Sequence, residues 1–138
     1  MLKVKVITVG RTKDQWLSEA LVEYQKRLSG KIEIEWIFVK KEAEWIEKTA
    51  KEPLLIALEI KGTFLSSEQF SRKLFQEWGA RTAFAIGGPE GLPTRVTQSA
   101  TFCWSLSPLT FTHQMVRLLL AEQLYRATEI DKGSAYHK

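Results

Sequence analysis

Apolar residues recur along this chain with two alternating spacings, which predict strands and helices in turn. Five segments have the pattern of β-strands, at residues 2–9, 32–39, 54–58, 82–86 and 101–106. In the first two segments apolar and polar residues alternate, which is typical of strands with one face toward water. The run Leu54–Leu58 is apolar throughout. Such a run predicts a central parallel strand that is covered on both faces.

Helical spacing of apolar residues follows the strands. Helices are predicted from Thr12 to Gly30, at residues 42–49, from Ser66 to Gly79, from Pro93 onward, and from Thr112 to near Ala127. Two of them begin with a capping-box pattern, in which a hydroxyl residue precedes a glutamine: Thr12 with Gln15, and Ser66 with Gln69. Gly62 is expected to turn the chain after the third strand.

The alternation of strands and helices predicts the fold class. It implies an open, mostly parallel α/β sheet with helices on both faces. The length of 138 residues is that of one domain, so we expect a single domain over residues 1–138. Ligands of such sheets bind beyond the carboxyl ends of the strands, so candidate chemistry is sought there.

Charge adds a weak indication of a polyanionic partner. Lys and Arg number 20 against 16 Asp and Glu, a net charge of +4 that favours nucleic acid only mildly. The start of the chain lacks the apolar core of a signal peptide, and the apolar runs fall far below the roughly 18 residues of a membrane span. We therefore expect a cytoplasmic protein that does not bind membranes. Cys103 is interpreted as a buried small hydrophobe, and no cysteine and histidine spacing suggests a metal site.

Three strand ends are the candidate ligand sites: Leu58–Glu59, Gly87–Gly91 and Leu106–Thr110. Glycines in the second segment let a ligand approach the backbone closely. The segment matches neither the phosphate-binding P-loop nor the dinucleotide fingerprint. A functional loop and a tight structural turn are equally compatible with it.

The two histidines lie in different contexts. His113 falls in the first turn of the last helix, where the positive end of the helix dipole disfavours protonation, so a neutral hydrogen-bonding role is favoured. His137 lies in the terminal run Tyr136–Lys138, which combines an aromatic ring, an imidazole and a cation suited to gripping a base and its phosphate. Arg117 and Arg126 are interpreted as part of the solvated face of the last helix.

Three strings in this order resemble one known family. They are IGGPEGL at residues 86–92, SLSPLTFTHQMVRLLLAEQLYRA at residues 105–127, and the final YHK at residues 136–138. Together they resemble the RlmH family, 23S rRNA pseudouridine N3-methyltransferases of the SPOUT class. The resemblance spans nearly the whole chain. It implies a C-terminal trefoil knot, a homodimer, and S-adenosylmethionine bound in loops of the knot.

The family's functional residues transfer to this chain motif by motif. The cofactor would be bound by Leu58, Gly87, Leu106, Ser107, Pro108, Leu109, Thr110 and Phe111. Tyr136, His137 and Lys138 would close over the target, with His137 as proton acceptor or orienting group. Arg126 would contact phosphate or the developing imide charge. Glu122 and His113 would support the knot.

The resemblance also implies a substrate: N3 of a pseudouridine in the subunit-interface stem-loop of 23S rRNA, methylated on assembled ribosomes. Three alternatives stay open: a SPOUT enzyme for tRNA or another rRNA site, a non-catalytic ribosome-binding module, and an unrelated nucleotide-binding α/β protein. The chain departs from the family pattern between residues 39 and 54, where the connection is short and its helix is expected to be truncated.

Overall fold

Five strands and five α-helices make up the computed structural model, which describes residues 1–137. The strands are β1 (Leu2–Val9), β2 (Ile32–Val39), β3 (Leu54–Phe64), β4 (Thr82–Ile86) and β5 (Phe102–Ser105). The helices are α1 (Gln15–Arg27), α2 (Glu42–Ala50), α3 (Ser67–Arg72), α4 (Thr94–Ser99) and α5 (His113–Asp131). A π-helical segment, Lys73–Trp78, extends α3, and a short 3₁₀ turn, Gly79–Arg81, leads into β4.

The strands form one sheet in the order β2-β1-β4-β3-β5, and every pairing is parallel. The predicted open parallel sheet is therefore confirmed. Because all strands run the same way, their carboxyl ends meet at one edge of the sheet. The trefoil knot implied by the resemblance stays a prediction.

Helices cover both faces of the sheet, as predicted. Val4, Val6 and Phe84 point to one face, where α1, α3 and α5 pack. Ile7 and Ala85 point to the other face, where α2 and α4 pack. This alternation follows from the period of two along a strand. β4 is buried along its whole length, as expected for a central strand of a parallel sheet.

Of the two predicted capping boxes, one forms and the other does not. Ser66 and Gln69 form the expected capping box of α3, and the Thr112 hydroxyl accepts a hydrogen bond from the Met115 amide at 3.2 Å. The Thr12–Gln15 box does not form, since α1 begins only at Gln15. The Thr12 hydroxyl instead accepts a hydrogen bond from Arg117 at 3.0 Å. A long-range partner has replaced the local one.

Gly62 does not turn the chain, because β3 continues through it to Phe64. The strand bulges against β5, so that Trp104 is opposite both Leu58 and Thr63. A side chain at position 62 would place Cβ 2.6 Å from the Cys103 carbonyl carbon. Gly62 is therefore a point of close backbone contact inside an irregular strand.

Arg117 is also placed differently from the prediction. The sequence pattern puts this side chain on the solvated face of the last helix, but it is fully buried. α5 also extends past Ala127 to Asp131. Cys103 is only half-buried, and burial raises the pKa of its thiol. Across residues 1–137, we find no helix that combines the length and apolar character needed to cross a bilayer.

The extra turn of α5 is stabilised by the buried carboxylate of Glu129. Its Oε1 accepts a hydrogen bond from the Tyr125 hydroxyl at 2.7 Å, and its Oε2 lies 3.0 Å from Lys132 Nζ. The hydrogen bonds from Tyr125 and Lys132 lower the pKa of Glu129 from its ordinary 4.5 to about 2. The folded state therefore holds Glu129 ionised at pH values where the unfolded chain takes up a proton.

We expect Glu129→Gln to lower the unfolding midpoint at neutral pH. The difference in unfolding midpoint between the variant and the native chain should be largest above pH 4.5. It should become smaller as the pH falls toward about 2. Thermal unfolding across this pH range measures it. Glu23→Gln is the control, because it removes an exposed ion pair with Arg27 that contributes little to stability. A deficit that does not change with pH would contradict the prediction.

Candidate functional site

A cleft lies at the carboxyl edge of the sheet, where β4 and β5 end and where β3 bulges after Leu58. Its walls come from these three strand segments and from the first turn of α5. The empty space, including the open mouth, is about 600 Å³. The cleft thus lies where ligands of open parallel sheets bind.

The structure brings seven of the eight predicted cofactor residues together in this cleft. They are Leu58, Gly87, Leu106, Ser107, Leu109, Thr110 and Phe111. Pro108 belongs to the same loop but is exposed and does not line the cleft. Their convergence follows from the parallel sheet, which places the ends of three strands side by side.

Six further residues line the cleft that the sequence did not single out as its walls: Ile60, Ile86, Trp104, Ser105, His113 and Val116. Ile60 and Trp104 belong to β3 and β5, while His113 and Val116 belong to the first turn of α5. The apolar strand pattern marked Trp104 as core, and its indole nitrogen has no hydrogen-bond partner among residues 1–137. The helical pattern could have identified Val116 only if the start of α5 was known to meet the strand ends.

The glycine segment is both a tight turn and a wall of the cleft. The Gly91 amide donates to the Gly88 carbonyl at 3.0 Å, and Gly91 has a φ of 83° that favours glycine. A Cβ at position 87 would stand 2.7 Å from the Gly91 carbonyl carbon. A Cβ at position 88 would stand 2.8 Å from the Val9 side chain. The prediction of a tight turn is therefore confirmed, while a functional role of this segment stays a prediction.

The loop between β5 and α5 presents apolar side chains at the mouth of the cleft. Leu109 is 69% exposed and Phe111 is 38% exposed. Their backbone is fixed by polar contacts, since the Leu109 amide donates to Ser107 Oγ at 2.9 Å and Ser105 Oγ donates to the Ser107 carbonyl at 3.1 Å. Exposed apolar groups on an ordered loop are suited to cover an apolar ligand.

His113 lies in the wall of the cleft. Burial lowers its pKa below the ordinary 6.5, and the charges of Arg117 and Lys13 add to this effect. The ring is therefore neutral at physiological pH, as the sequence predicted. Burial is the main cause, whereas the sequence argument rested on the helix dipole.

The predicted catalytic residues form a second cluster, which we call the tail cluster: Arg126, Tyr136 and His137 with their partner Glu68. Arg126 Nη1 lies 2.9 Å from His137 Nδ1, and His137 Nε2 lies 3.1 Å from Glu68 Oε1. The Arg126 guanidinium also lies 4.8 Å from the centre of the Tyr136 ring. Because arginine can only donate, Nδ1 is the acceptor nitrogen of His137 and Nε2 carries the proton toward Glu68.

The tail cluster and the cleft are far apart within one chain. His113 lines the cleft, and Arg126 follows it on the same helix, about 20 Å along the axis. The structure therefore brings the cofactor residues together and, separately, the catalytic residues, but it does not unite the two groups. Lys138, the last residue of the predicted set, lies outside the described residues. Among residues 1–137 no group of three His, Cys, Asp or Glu side chains is placed to hold a metal ion.

Comparison with known proteins gives a consistent result over the whole chain. A family model described as "Predicted SPOUT methyltransferase" matches residues 2–137. The chain is 48% identical over 141 residues to the ribosomal RNA large subunit methyltransferase H of Protochlamydia amoebophila, covering 100% of both chains. It is 44% identical over 139 residues to the protein of the same name from Prochlorococcus marinus, covering 99% of this chain and 96% of the relative.

Solved structures with low sequence identity share the fold. A probable methylase family protein from Haemophilus influenzae matches with a TM-score of 0.60 at 11% identity, over 94% of this chain and 66% of that one. AviRb from Streptomyces viridochromogenes, solved in complex with the cofactor AdoMet, matches with a TM-score of 0.53 at 12% identity, over 90% of this chain and 57% of that one. With the family model matching almost every residue, this chain belongs to the SPOUT methyltransferase family.

Proposed function

We propose that this protein transfers a methyl group from S-adenosylmethionine to N3 of a pseudouridine in the subunit-interface stem-loop of 23S rRNA, on assembled ribosomes in the cytoplasm. The observation that carries the proposal is the cleft at the bulge of β3 and the ends of β4 and β5, built from the residues that the family resemblance assigns to the cofactor. The relatives named above, which match end to end, support rRNA as the substrate class.

The cleft fits S-adenosylmethionine in shape and chemistry. Position 87 has no room for a Cβ, so the backbone of the glycine segment forms a close cradle. Leu58, Leu106 and Phe111 offer apolar walls suited to an adenine ring, while backbone groups of the loops can read its polar edge. When bound, the cofactor supplies a methyl group on a cationic sulfonium. The neutral His113 adds no positive charge beside that cation.

Transfer to N3 requires that the base be held in line with the methyl group and that the imide proton be removed. The tail cluster offers groups for both tasks. The Tyr136 ring can stack on a base. His137 holds a lone pair on Nδ1 that Arg126 engages at 2.9 Å. If Arg126 turns to a phosphate of the RNA, this lone pair becomes free to take the imide proton.

The distance between cleft and tail cluster points to a homodimer in which the tail of one protomer completes the cleft of its partner. An apolar side chain on the outer surface of α1 is available for such a contact, since Val22 is 49% exposed. Met115 and Leu119 on α5 are also only half-buried.

The function is tested directly with ribosomes that lack the modification. Incubation with the protein and radiolabelled S-adenosylmethionine is expected to label 23S rRNA, and mass spectrometry of the nucleosides is expected to find N3-methylpseudouridine. Label in tRNA or at another rRNA site would favour a different SPOUT activity. Cofactor and ribosome binding without transfer would favour a non-catalytic module. Binding of ATP or NAD without S-adenosylmethionine would reject the cofactor class.

We expect Phe111→Ala to weaken S-adenosylmethionine binding on the order of tenfold, because it removes an apolar wall at the mouth of the cleft. Titration calorimetry measures the dissociation constant. Phe64→Ala is the matched control, because Phe64 is 58% exposed and does not line the cleft. Equal affinities of the two variants would remove Phe111 from the site.

His137→Ala is expected to abolish methyl transfer and leave cofactor affinity unchanged, because the imidazole is far from the cleft of its own chain and close to Arg126. Single-turnover transfer to ribosomes and cofactor titration separate the two effects. Turnover at the native rate would reject a role for His137 in proton transfer.

The composite site is tested by mixing two inactive variants. Gly87→Ala blocks the cleft and His137→Ala removes the imidazole, so each homodimer should be inactive. Random exchange of protomers places one intact cleft beside one intact tail in half of the dimers, which should restore about a quarter of the native activity. A mixture that stays inactive after verified exchange would show that cleft and tail act within one chain.

A further inference from the structure

The loop between β1 and α1, residues Gly10–Asp14, is docked on the first turns of α5. The Gln114 side chain makes two contacts with its backbone: Nε2 donates to the Arg11 carbonyl at 3.3 Å, and Oε1 accepts from the Lys13 amide at 3.2 Å. The side-chain amide of Gln114 thus pairs with one backbone carbonyl and one backbone amide of the loop, as a neighbouring strand would in a sheet.

Arg117 binds the same loop from the interior of the protein. Its Nη2 donates to the Val9 carbonyl at 2.7 Å and to the Gly10 carbonyl at 2.8 Å, while Nη1 donates to Thr12 Oγ1 at 3.0 Å. The side chain is fully buried, and no carboxylate of residues 1–137 lies within ion-pairing distance of it. A buried cation without an anion is costly. An apolar side chain would fill this buried position at a lower cost in free energy. The charge and the fork of donors therefore indicate a role other than packing.

The loop presents two cations to solvent. Arg11 and Lys13 are both exposed, and neither forms an ion pair with a carboxylate of the described chain. Two exposed aromatic rings accompany them. Phe38 is 37% exposed with the Arg11 guanidinium 6.0 Å from its ring centre, and Trp16 is 56% exposed. Unpaired cations next to exposed rings are typical of surfaces that bind a nucleic-acid backbone.

This surface adjoins the cleft. The Val9 side chain packs against Gly88 of the cleft wall, so closely that a Cβ at position 88 would stand 2.8 Å from it. Gln114, which holds the loop, follows directly after the cleft residue His113. The charge of Lys13 is also close enough to His113 to contribute to the lowered pKa of that ring. From this position the loop can reach the backbone of an RNA whose target base enters the cleft.

We propose that Gly10–Asp14 is a preformed docking loop for the phosphodiester backbone of the rRNA substrate, in which Arg11 and Lys13 contact phosphates and Gln114 and Arg117 are positioning residues. The inference rests on the proposed function and adds to it the place where the RNA backbone is held. Pre-organisation matters here because an ordered loop loses less conformational entropy when it binds.

The phosphate contacts are tested with the double variant Arg11→Gln and Lys13→Gln. We expect the KM for ribosomes to rise roughly 10- to 20-fold at near-physiological salt, with cofactor affinity unchanged. The slope of log affinity against log salt should become shallower by about 1 for each phosphate that the variant no longer neutralises. The matched control is Lys26→Gln with Arg81→Gln, an equal charge change on exposed residues at the opposite edge of the sheet. If the control variant loses as much ribosome affinity and as much salt dependence as the Arg11 and Lys13 variant, the effect is one of general charge and the proposal is overturned.

The positioning role is tested by a double-mutant cycle. Gln114→Met removes both side-chain hydrogen bonds to the loop from a half-buried site that tolerates the change in volume. In the native background it should raise the KM several-fold. In the Arg11→Gln and Lys13→Gln background it should add nothing, because the cations it positions are already absent. If Gln114→Met raises the KM by the same factor in both backgrounds, Gln114 has only a structural role. Arg117→Lys, which keeps the charge but not the fork of donors, should behave in the same way.

The outcomes separate this proposal from the function on which it rests. If the native protein methylates ribosomes but the Arg11 and Lys13 variant keeps the native KM and salt slope, the docking loop is rejected and the function stands. If the native protein shows neither transfer nor ribosome binding, both are rejected. If the variant loses affinity for S-adenosylmethionine itself, the loop acts on the cofactor and the RNA assignment is wrong.

Discussion

The parallel pairing of all five strands is the constraint on which the rest of the structure depends. Because β3, β4 and β5 run in the same direction and lie next to each other, three chain segments that are distant in sequence end at one place. The buried β4 fixes this arrangement from the centre, and its end leads directly into the glycine segment. α5 then begins beside the same strand ends and runs away from them across one face of the sheet. Cleft, docking loop and tail cluster are all placed by this geometry.

Sequence patterns are sufficient to predict the elements and most of the cleft, because each depends on local periodicity or on a strand end. The outcome differs where a distant partner overrides a local preference. Thr12 has the sequence context of a cap but binds Arg117 instead. Gly62 is a residue type that favours turns, but it lies in a strand and is in close contact with the Cys103 backbone. Arg117 is a charged residue in an amphipathic helix, which suggests a solvated position, but it points inward to carbonyl groups that are more than a hundred positions earlier in the chain. No periodicity encodes such a contact.

The candidate site shows the same division. Leu58, Gly87 and the loop before α5 could be identified as strand-end residues, and the structure unites them. The tail residues could be recognised by chemistry and resemblance, but their distance from the cleft follows from the length of α5, which separates Arg126 from the cleft residue His113 by about 20 Å. In the proposed composite site, the geometry that unites cleft and tail would come from a second copy of the chain. Sequence alone identifies the parts of such a site and leaves their assembly open.

The tail cluster differs from the core in the kind of contact that holds it. His137 and Arg126 are each about a quarter exposed, and Glu68 is more than half exposed, so polar bonds at the surface hold this end of the chain. Breaking them exposes little apolar area, and local opening therefore costs far less free energy than global unfolding. The tail can detach and return many times during the lifetime of the folded sheet. If the tail closes over the RNA as proposed, the segment that admits and releases this large substrate is attached by polar contacts at the surface, while the cleft proposed for the cofactor is built on the sheet.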